Sequence, residues 1–324
     1  MKWLVTGGAG FIGGHVVHAL LSRGYEAIVL DDFSTGRPAF VPAGVSVVEG
    51  TLLDPAVVAR ALAEPGITGV IHIAGYKFAG ESVKFPIHAY EQNVVGTMNL
   101  LAGMENSGIP RIIFSSSSAV YGDANVDVIS EGHPRKPKSP YGESKLIGEW
   151  LLQNLGVSRG FQHSSLRYFN VVGSSQPGIF DTSPHSLFSL VFEAISQGKA
   201  PKIFGFDYPT RDGTCVRDYI PVGALAEAHV VAAERLVAGE PLELAYNLGT
   251  GTGHSVAEVM TMIAEVTGIA LEPERAPRRP GDPATVVASG ELAARDLGWD
   301  PQTDLSEMVR QAWSAFLQAK EEQS

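Results

Sequence analysis

The sequence predicts an α/β fold: a doubly wound parallel sheet with helices on both faces, joined to a smaller, loop-rich α/β unit. Three observations predict it. Short β-branched runs alternate with helical patterns through residues 1–170, a glycine turn joins the first strand to the first helix, and beyond about residue 170 the alternation gives way to Pro- and Gly-rich sequence. Strand–helix alternation at this rhythm requires crossovers that place parallel strands side by side and cover both faces.

Taken in order, the strands are "KWLVTG", "EAIVLDD", "VSVVEG", "GVIHIA", "RIIFSSSS" and "HSSLRYFN". Their β-branched and aromatic content suits strands buried on both faces. Between them, "FIGGHVVHALLSRG", "PAVVARALAEPG", "HAYEQNVVGTMNLLAGMENSG" and "YGESKLIGEWLLQNLG" carry apolar residues at helical spacing and close on a glycine. Beyond residue 170, "SSQPGIFDTSPHS", "FGFDYPTRDGTC" and "ERAPRRPGDPA" read as loops, with helices at "LFSLVFEAISQG" and "SVAEVMTMIAEVTG". Loop-rich sequence of this kind builds a binding cap over a rigid scaffold. The expected division is 1–170 and 171–324, with part of 217–250 packing back on the first unit. The last residues, "AKEEQS", are expected to fray.

The 324 residues carry 44% hydrophobic and 18% charged side chains, ordinary globular usage, and a formal net charge of −11. That sign argues against nucleic acid and against a membrane surface as partners, since both need basic patches. No apolar run reaches the length of a membrane span, and the opening strand and glycine turn lack the features of a secretory leader. A single cysteine, Cys215, excludes an internal disulfide framework. Together these give an expected cytoplasmic location. The histidines show no metal-ligand spacing, so no metal site is expected.

"VTGGAGFIG" follows the first strand and opens the first helix, with Gly7, Gly10 and Gly13 three residues apart. Glycines there let the backbone approach a pyrophosphate, which sits on the N–H groups at the helix start, those of Phe11 and Ile12 among them. Asp31, 18 residues beyond Gly13 at the end of the second strand, is placed to accept hydrogen bonds from an adenosine ribose. Its carboxylate, reinforced by Asp32, repels a 2′-phosphate, so NAD is expected rather than NADP. This is the signature of a Rossmann dinucleotide site.

"SPYGESK" puts Tyr141 and Lys145 one helical turn apart, where their heads converge. Alone, such a pair is more often a surface tyrosine beside a lysine. The serine run Ser115–Ser118 ends a strand at the carboxyl edge of the sheet, where a doubly wound fold binds its ligand. A serine hydroxyl, a tyrosine and a lysine beside a nicotinamide make an arrangement that oxidises alcohols. Unperturbed tyrosine, with a pKa of about 10, is a poor base at neutral pH. A nearby ammonium and the positive nicotinamide both favour phenolate.

With these motifs the chain resembles the extended short-chain dehydrogenase/reductase family and, within it, the UDP-glucose 4-epimerases. The resemblance runs nearly end to end through "VTGGAGFIG", "AGYKFAGESV", "FSSSSAVYG", "SPYGESK", "LRYFNVVG", "FGFDYPTRDGTCVRDYI", "YNLGTGTGHSV" and "RRPGD". It implies Tyr141 as base, Ser117 as its hydroxyl partner, and Lys145 as tuner and ribose ligand. It implies a cofactor pocket that adds Thr51, Leu52, Ala74, Gly75, Lys77, Asn93, Ser115 and Tyr168 to the glycine turn, Asp31 and Asp32. For the substrate it implies Lys77, Ser117, Tyr141, Phe169, Asn170, Ser186, Leu187, Phe204, Arg217, Arg279, Asp282 and Val286. An aromatic such as Phe204 can stack on uracil, and arginine forks suit a diphosphate.

The implied reaction is NAD-dependent inversion at C4 of a UDP-hexose through a transient 4-keto sugar, with tightly bound, recycled NAD. A 4,6-dehydratase of the same family would need a carboxylate next to Ser117, but Ser118 and Ala119 follow it. A non-catalytic NAD-binding scaffold usually loses the tyrosine or lysine, and both are present. Thr51 stands where many relatives place an aspartate, and His185 and Ser186 where they place amides. Val286, four residues after Asp282, stands where a tyrosine typically excludes N-acetylated sugars. By analogy a homodimer is expected, through helices around residues 90–105 and 143–155.

Overall fold

The computed structural model describes residues 1–124, 126–279, 282–302 and 304–321; residues 322–324 of the tail expected to fray lie outside them. Its centre is a seven-stranded, wholly parallel sheet. The chain lays down β1 (Lys2–Thr6), α1 (Phe11–Ser22), β2 (Glu26–Asp31), β3 (Ser46–Glu49), α2 (Pro55–Leu62) and β4 (Ile67–His72). It continues through α3 (Ala79–Lys84), α4 (Pro86–Tyr90), α5 (Gly96–Asn106), β5 (Arg111–Ser117), α6 (Pro140–Arg159) and β6 (Gln162–Tyr168). Between α4 and α5 the residues Glu91–Val95 form a π-helical turn. The long helix expected at residues 88–108 is therefore three segments, with one widened turn that carries Asn93.

β7 (Asn170–Val172) leaves the main sheet. The run "HSSLRYFN" is thus two strands, because the chain crosses at Phe169 to pair with a second sheet. There follow α7 (Leu187–Ser196), β8 (Lys202–Phe204), β9 (Val216–Pro221), α8 (Val222–Ala238) and β10 (Ala245–Leu248). The chain ends with β11 (Gly253–Ser255), α9 (Val256–Thr267), β12 (Glu274–Ala276), β13 (Thr285–Val286), α10 (Glu291–Leu297) and α11 (Leu305–Glu321). The sheet order is β10-β6-β5-β4-β1-β2-β3, and β9 pairs with β11, β13 and β7 in a smaller sheet. α8 and β10, although late in sequence, join the main sheet, so Val230, Leu236, Tyr246 and Leu248 share one core with Trp3, Val17 and Leu20 of the first strand and helix.

Strand order reverses at β1 and β4, and the crevice beyond their carboxyl ends is the place where such a sheet takes a ligand. A second core of Phe188, Val191, Phe192, Met260, Ile263 and Val309 holds α7, α9 and α11 together on the far side of the crevice. Among the described residues no helix is long and apolar enough to cross a membrane.

Candidate active site

The glycine turn sits at that reversal. Gly7 has φ +71°, and a Cβ on it would meet the Ala74 backbone nitrogen at 2.7 Å, so the loops after β1 and β4 touch through bare backbone. A Cβ on Gly13 would lie 2.0 Å from the Gly7 carbonyl oxygen, which no side chain tolerates. Gly10 caps α1 without a side-chain bond, and no acidic residue occupies its first turn. The N-terminal N–H groups, beginning at Phe11 and Ile12, are thereby kept for an anion. Asp31 is buried; its Oδ2 accepts from Ala9 N at 2.9 Å and its Oδ1 from Phe33 N at 2.9 Å. Burial pushes its carboxyl up, while those two backbone donors hold it down. Asp32 is exposed and bonds the Ser34 backbone and hydroxyl. The carboxylates thus fix the loop and leave further lone pairs for hydroxyl groups.

Beside this cradle, Thr51 Oγ1 accepts from Leu53 N at 3.2 Å, and Leu52 is buried with its carbonyl held by Asn99 Nδ2 at 3.0 Å. The hydroxyl of Thr51 can order this loop as an aspartate would, but without its charge. Asn93 clamps the loop after β4: its Oδ1 accepts from Tyr76 N at 2.6 Å, and its Nδ2 donates to Tyr76 O at 2.9 Å and Ser144 Oγ at 2.8 Å. Gly75 lies against it, since a Cβ there would approach Asn93 Oδ1 to 2.8 Å. Lys77 reaches across the crevice, with its Nζ 3.6 Å from Asp181 Oδ1. Nothing in the composition or spacing singled out Asp181.

The serine run turns out to aim three ways. Ser115 Oγ points to His229 Nε2 of α8 at 2.9 Å, and Ser116 Oγ donates to Glu149 Oε1 of α6 at 2.6 Å. Ser117 Oγ accepts from Ala119 N at 3.2 Å, and its hydroxyl hydrogen-bonds the Tyr141 phenol. α6 begins with Ser139 as N-cap, accepting from Gly142 N at 3.2 Å, followed by Pro140 at its first position. Buried Ser82 of α3 accepts the Tyr141 N–H at 3.1 Å. Tyr141, Lys145 and Glu149 then follow on one face of the helix.

Lys145 is buried, and its ammonium donates to the Ser115 carbonyl at 2.9 Å and lies 5.1 Å from the Phe114 ring centroid. Burial brings its pKa down to about 8. Burial pushes the Tyr141 phenol up, and the Ser117 hydroxyl is what draws it back. Lys145 is anchored on the strand carbonyl, and Ser117 is the group that bonds the phenol. Further in, Glu149 and Arg167 form a buried two-pronged pair (Nε–Oε1 2.8 Å, Nη2–Oε2 2.6 Å), and Arg167 Nη1 donates to Tyr121 Oη at 2.7 Å. This pair bolts α6 to β6, and through Ser116 to β5.

Across the crevice, Arg217 of β9 pairs with Asp282, and Val286 of β13 lies beside Arg217 in register. The guanidinium of Arg279 sits 4.3 Å above the Phe204 ring, so one face of that aromatic is already covered and any stacked base must take the other. Ser186 caps α7: its Oγ accepts from Ser189 N at 3.3 Å. Its hydroxyl therefore serves the helix, and the backbone donors at Leu187 remain for an anion. Asn170, exposed on β7, and buried Phe169 stand between the two sheets, and Phe169 packs in a cluster with Val120, Tyr121 and Val286. Tyr168 hydrogen-bonds Ser115. His185 stacks edge-on against Phe78 from the opposite rim, with centroids 4.8 Å apart.

A model of the NAD dependent epimerase/dehydratase family matches residues 3–249. The chain is 42% identical over 318 residues to the UDP-glucose 4-epimerase of Corynebacterium glutamicum, covering 97% of this chain and 95% of that protein. The crystal structure of UDP-glucose 4-epimerase from Bifidobacterium longum in complex with NAD+ and UDP matches with a TM-score of 0.90 at 35% identity, over 98% of each chain. The UDP-Glc/GlcNAc 4-epimerase of Campylobacter jejuni matches with a TM-score of 0.84 at 33% identity, over 98% of this chain and 99% of that one.

Proposed function

The chain belongs to the NAD dependent epimerase/dehydratase family, and from that premise we propose that it inverts carbon 4 of a UDP-hexose, interconverting UDP-glucose and UDP-galactose. The observation that carries this reading is the meeting of Ser117, Tyr141 and Lys145 at the end of β5, beside the glycine turn. The turn, the first N–H groups of α1 and the carboxylate of Asp31 would hold NAD, with Lys145, Asn93 and Tyr168 around its nicotinamide end. When bound, NAD supplies the reversible acceptor for the hydride of carbon 4.

Tyr141 takes the proton of the 4-hydroxyl while Ser117 holds the same oxygen, and it returns that proton when the alcohol is restored. Because Ser117 accepts from Ala119 N, its own hydrogen is free to stabilise oxygen charge at the phenol or the sugar. Inversion requires the 4-keto sugar to present its other face. Binding must therefore concentrate on the nucleotide, through Arg217, Arg279 and the start of α7, with Asp282 orienting Arg217. Residues 1–170 would carry the cofactor and residues 171–324 mainly the UDP-sugar. No carboxylate follows Ser117, so elimination of water has no acid/base pair there.

Incubating the protein with a panel of UDP-sugars and no added cofactor, then resolving the C4 epimers, tests the reading. Interconversion without net consumption of NAD is the expected result, and bound NAD with no turnover of any sugar would leave only a binding scaffold. The same panel tests the pocket's width. Val286 is far shorter than tyrosine, and we expect UDP-N-acetylglucosamine to be epimerised as well. Val286→Tyr is expected to remove the N-acetyl activity and spare that on UDP-glucose. An unmodified protein inactive on the N-acetyl sugar would dispose of this.

We place the protein in the cytoplasm as a homodimer. Val95 and Met98, beside and on α5, and Trp150 and Val157 on α6 are exposed apolar side chains on adjacent helices, a face suited to a second copy. A sedimenting species of monomer mass at micromolar concentration would count against the dimer.

A further inference from the structure

The segment from Ser174 to His185, between β7 and α7, reaches the loops on both sides of the glycine turn. Gly173, at φ +91°, turns the chain out of β7. The segment is then pinned on α1 by His15, whose Nδ1 donates to the Phe11 carbonyl at 2.8 Å. That leaves Nε2 as an acceptor, and it takes the Ser175 N–H at 3.1 Å. Ile179 is buried in one cluster with Phe11 and Phe40. Phe180 meets Phe40 edge-on, with centroids 5.6 Å apart, and the Arg37 guanidinium sits 4.8 Å from its ring centroid. One residue on, the segment is held from the other side. Asp181 Oδ1 lies 3.6 Å from Lys77 Nζ, and His185 meets Phe78. Arg37 and Phe40 follow β2, while Lys77 and Phe78 follow β4, and these two strands flank β1 in the sheet. A segment held on both flanks and on the start of α1 must cross the turn that joins them.

We propose that residues 174–185 are a strap that closes the cofactor cleft over the glycine turn, and that NAD leaves only when the strap lifts. A dinucleotide laid from Asp31 toward Lys145 lies under both fastenings, Phe180 at the first end and Asp181 at the second. Both can break and remake. Asp181 shares Oδ1 with Ser183 N at 3.0 Å, and half-exposed Lys77 makes only a long ion pair with it. Phe180 adds an aromatic contact and a cation above its ring. A closed strap would keep the reduced cofactor beside the 4-keto sugar until hydride returns, which ties it to recycling of the cofactor.

The inference rests on the placing of NAD at the glycine turn, and the test separates it from the epimerase reading. The full chain is loaded with radiolabelled NAD and chased with excess unlabelled NAD, and the release of label is timed. Phe180→Ala removes the Arg37 and Phe40 contacts and should speed release about tenfold. Asp181→Asn loosens the opposite end and should speed it several-fold. Hydrogen exchange of the same NAD-loaded proteins distinguishes a lifted strap from a weakened fold. Amides of residues 174–185 should exchange faster in Phe180→Ala, with those of β5 and β6 unchanged. Release at the parent's rate in either variant overturns the proposal, as does faster exchange spread equally through β5 and β6. A parent protein that binds no NAD overturns the cofactor site and the strap together. Failure to epimerise any UDP-sugar overturns the reaction alone, because the release rates do not depend on turnover.

Discussion

Tyr141→Phe is expected to keep its NAD and to lose epimerase turnover by at least about two orders of magnitude, the effect of removing a general base. The two side chains differ by one oxygen. The ring is buried against α3 and the serine turn, and its backbone N–H bonds Ser82 in either variant. Packing is thus preserved, and the melting temperature should hardly move. What disappears is the phenol oxygen that Ser117 engages. A Tyr141→Phe protein that turns over at a near-normal rate would show that another group takes the 4-hydroxyl proton.

The largest effect on stability is expected from Arg167→Met. Arg167 and Glu149 are both almost fully buried, and removing one partner strands the other's charge in the core at a cost of roughly 3–5 kcal/mol. Arg135, 3.5 Å from Glu149 Oε2 and partly exposed, remains as a second cation and places the expected loss toward the lower end. For a chain of this size, that corresponds to a melting temperature lower by roughly 4–7 °C. Removing both charges, in Glu149→Met with Arg167→Met, should recover much of the difference, since no unpaired ion then remains. An Arg167→Met protein melting within a degree of the parent would mean that water or Arg135 already satisfies Glu149.

The first six strands could be read from their β-branched runs because strands buried on both faces must be apolar along their whole length. The glycine turn was legible for a similar reason. Gly7 and Gly13 stand where any side chain collides with backbone, so the steric demand is written in the residues themselves. The pairing of Tyr141 with Lys145 was visible as helical spacing. The three directions of Ser115, Ser116 and Ser117 were not, because they depend on which helix lies over each face of β5. His229 gave no local signal either. It sits among alanines and valines on α8, and its partner is 114 residues earlier in the chain. Asp181 and the covering of Phe204 by Arg279 likewise arise from loops whose course no periodicity describes. The widened turn at Asn93 went unread, since a π-helical turn has no residue type of its own to mark it.

The late return of α8 and β10 to the main sheet has a consequence for synthesis. A ribosome that has released residues 1–170 has delivered the whole glycine turn and the Tyr141 helix, yet the outer edge of β6 has no partner until Ala245–Leu248 emerges. Through that interval the face of α1 that packs on α8 is also bare. An open strand edge and an uncovered apolar helix are the features that recruit chaperones or neighbouring nascent chains. The half that carries the glycine turn is therefore complete in sequence well before it is complete as a folded body. Chains released early, before β10, would be a quality-control burden rather than a working half-enzyme.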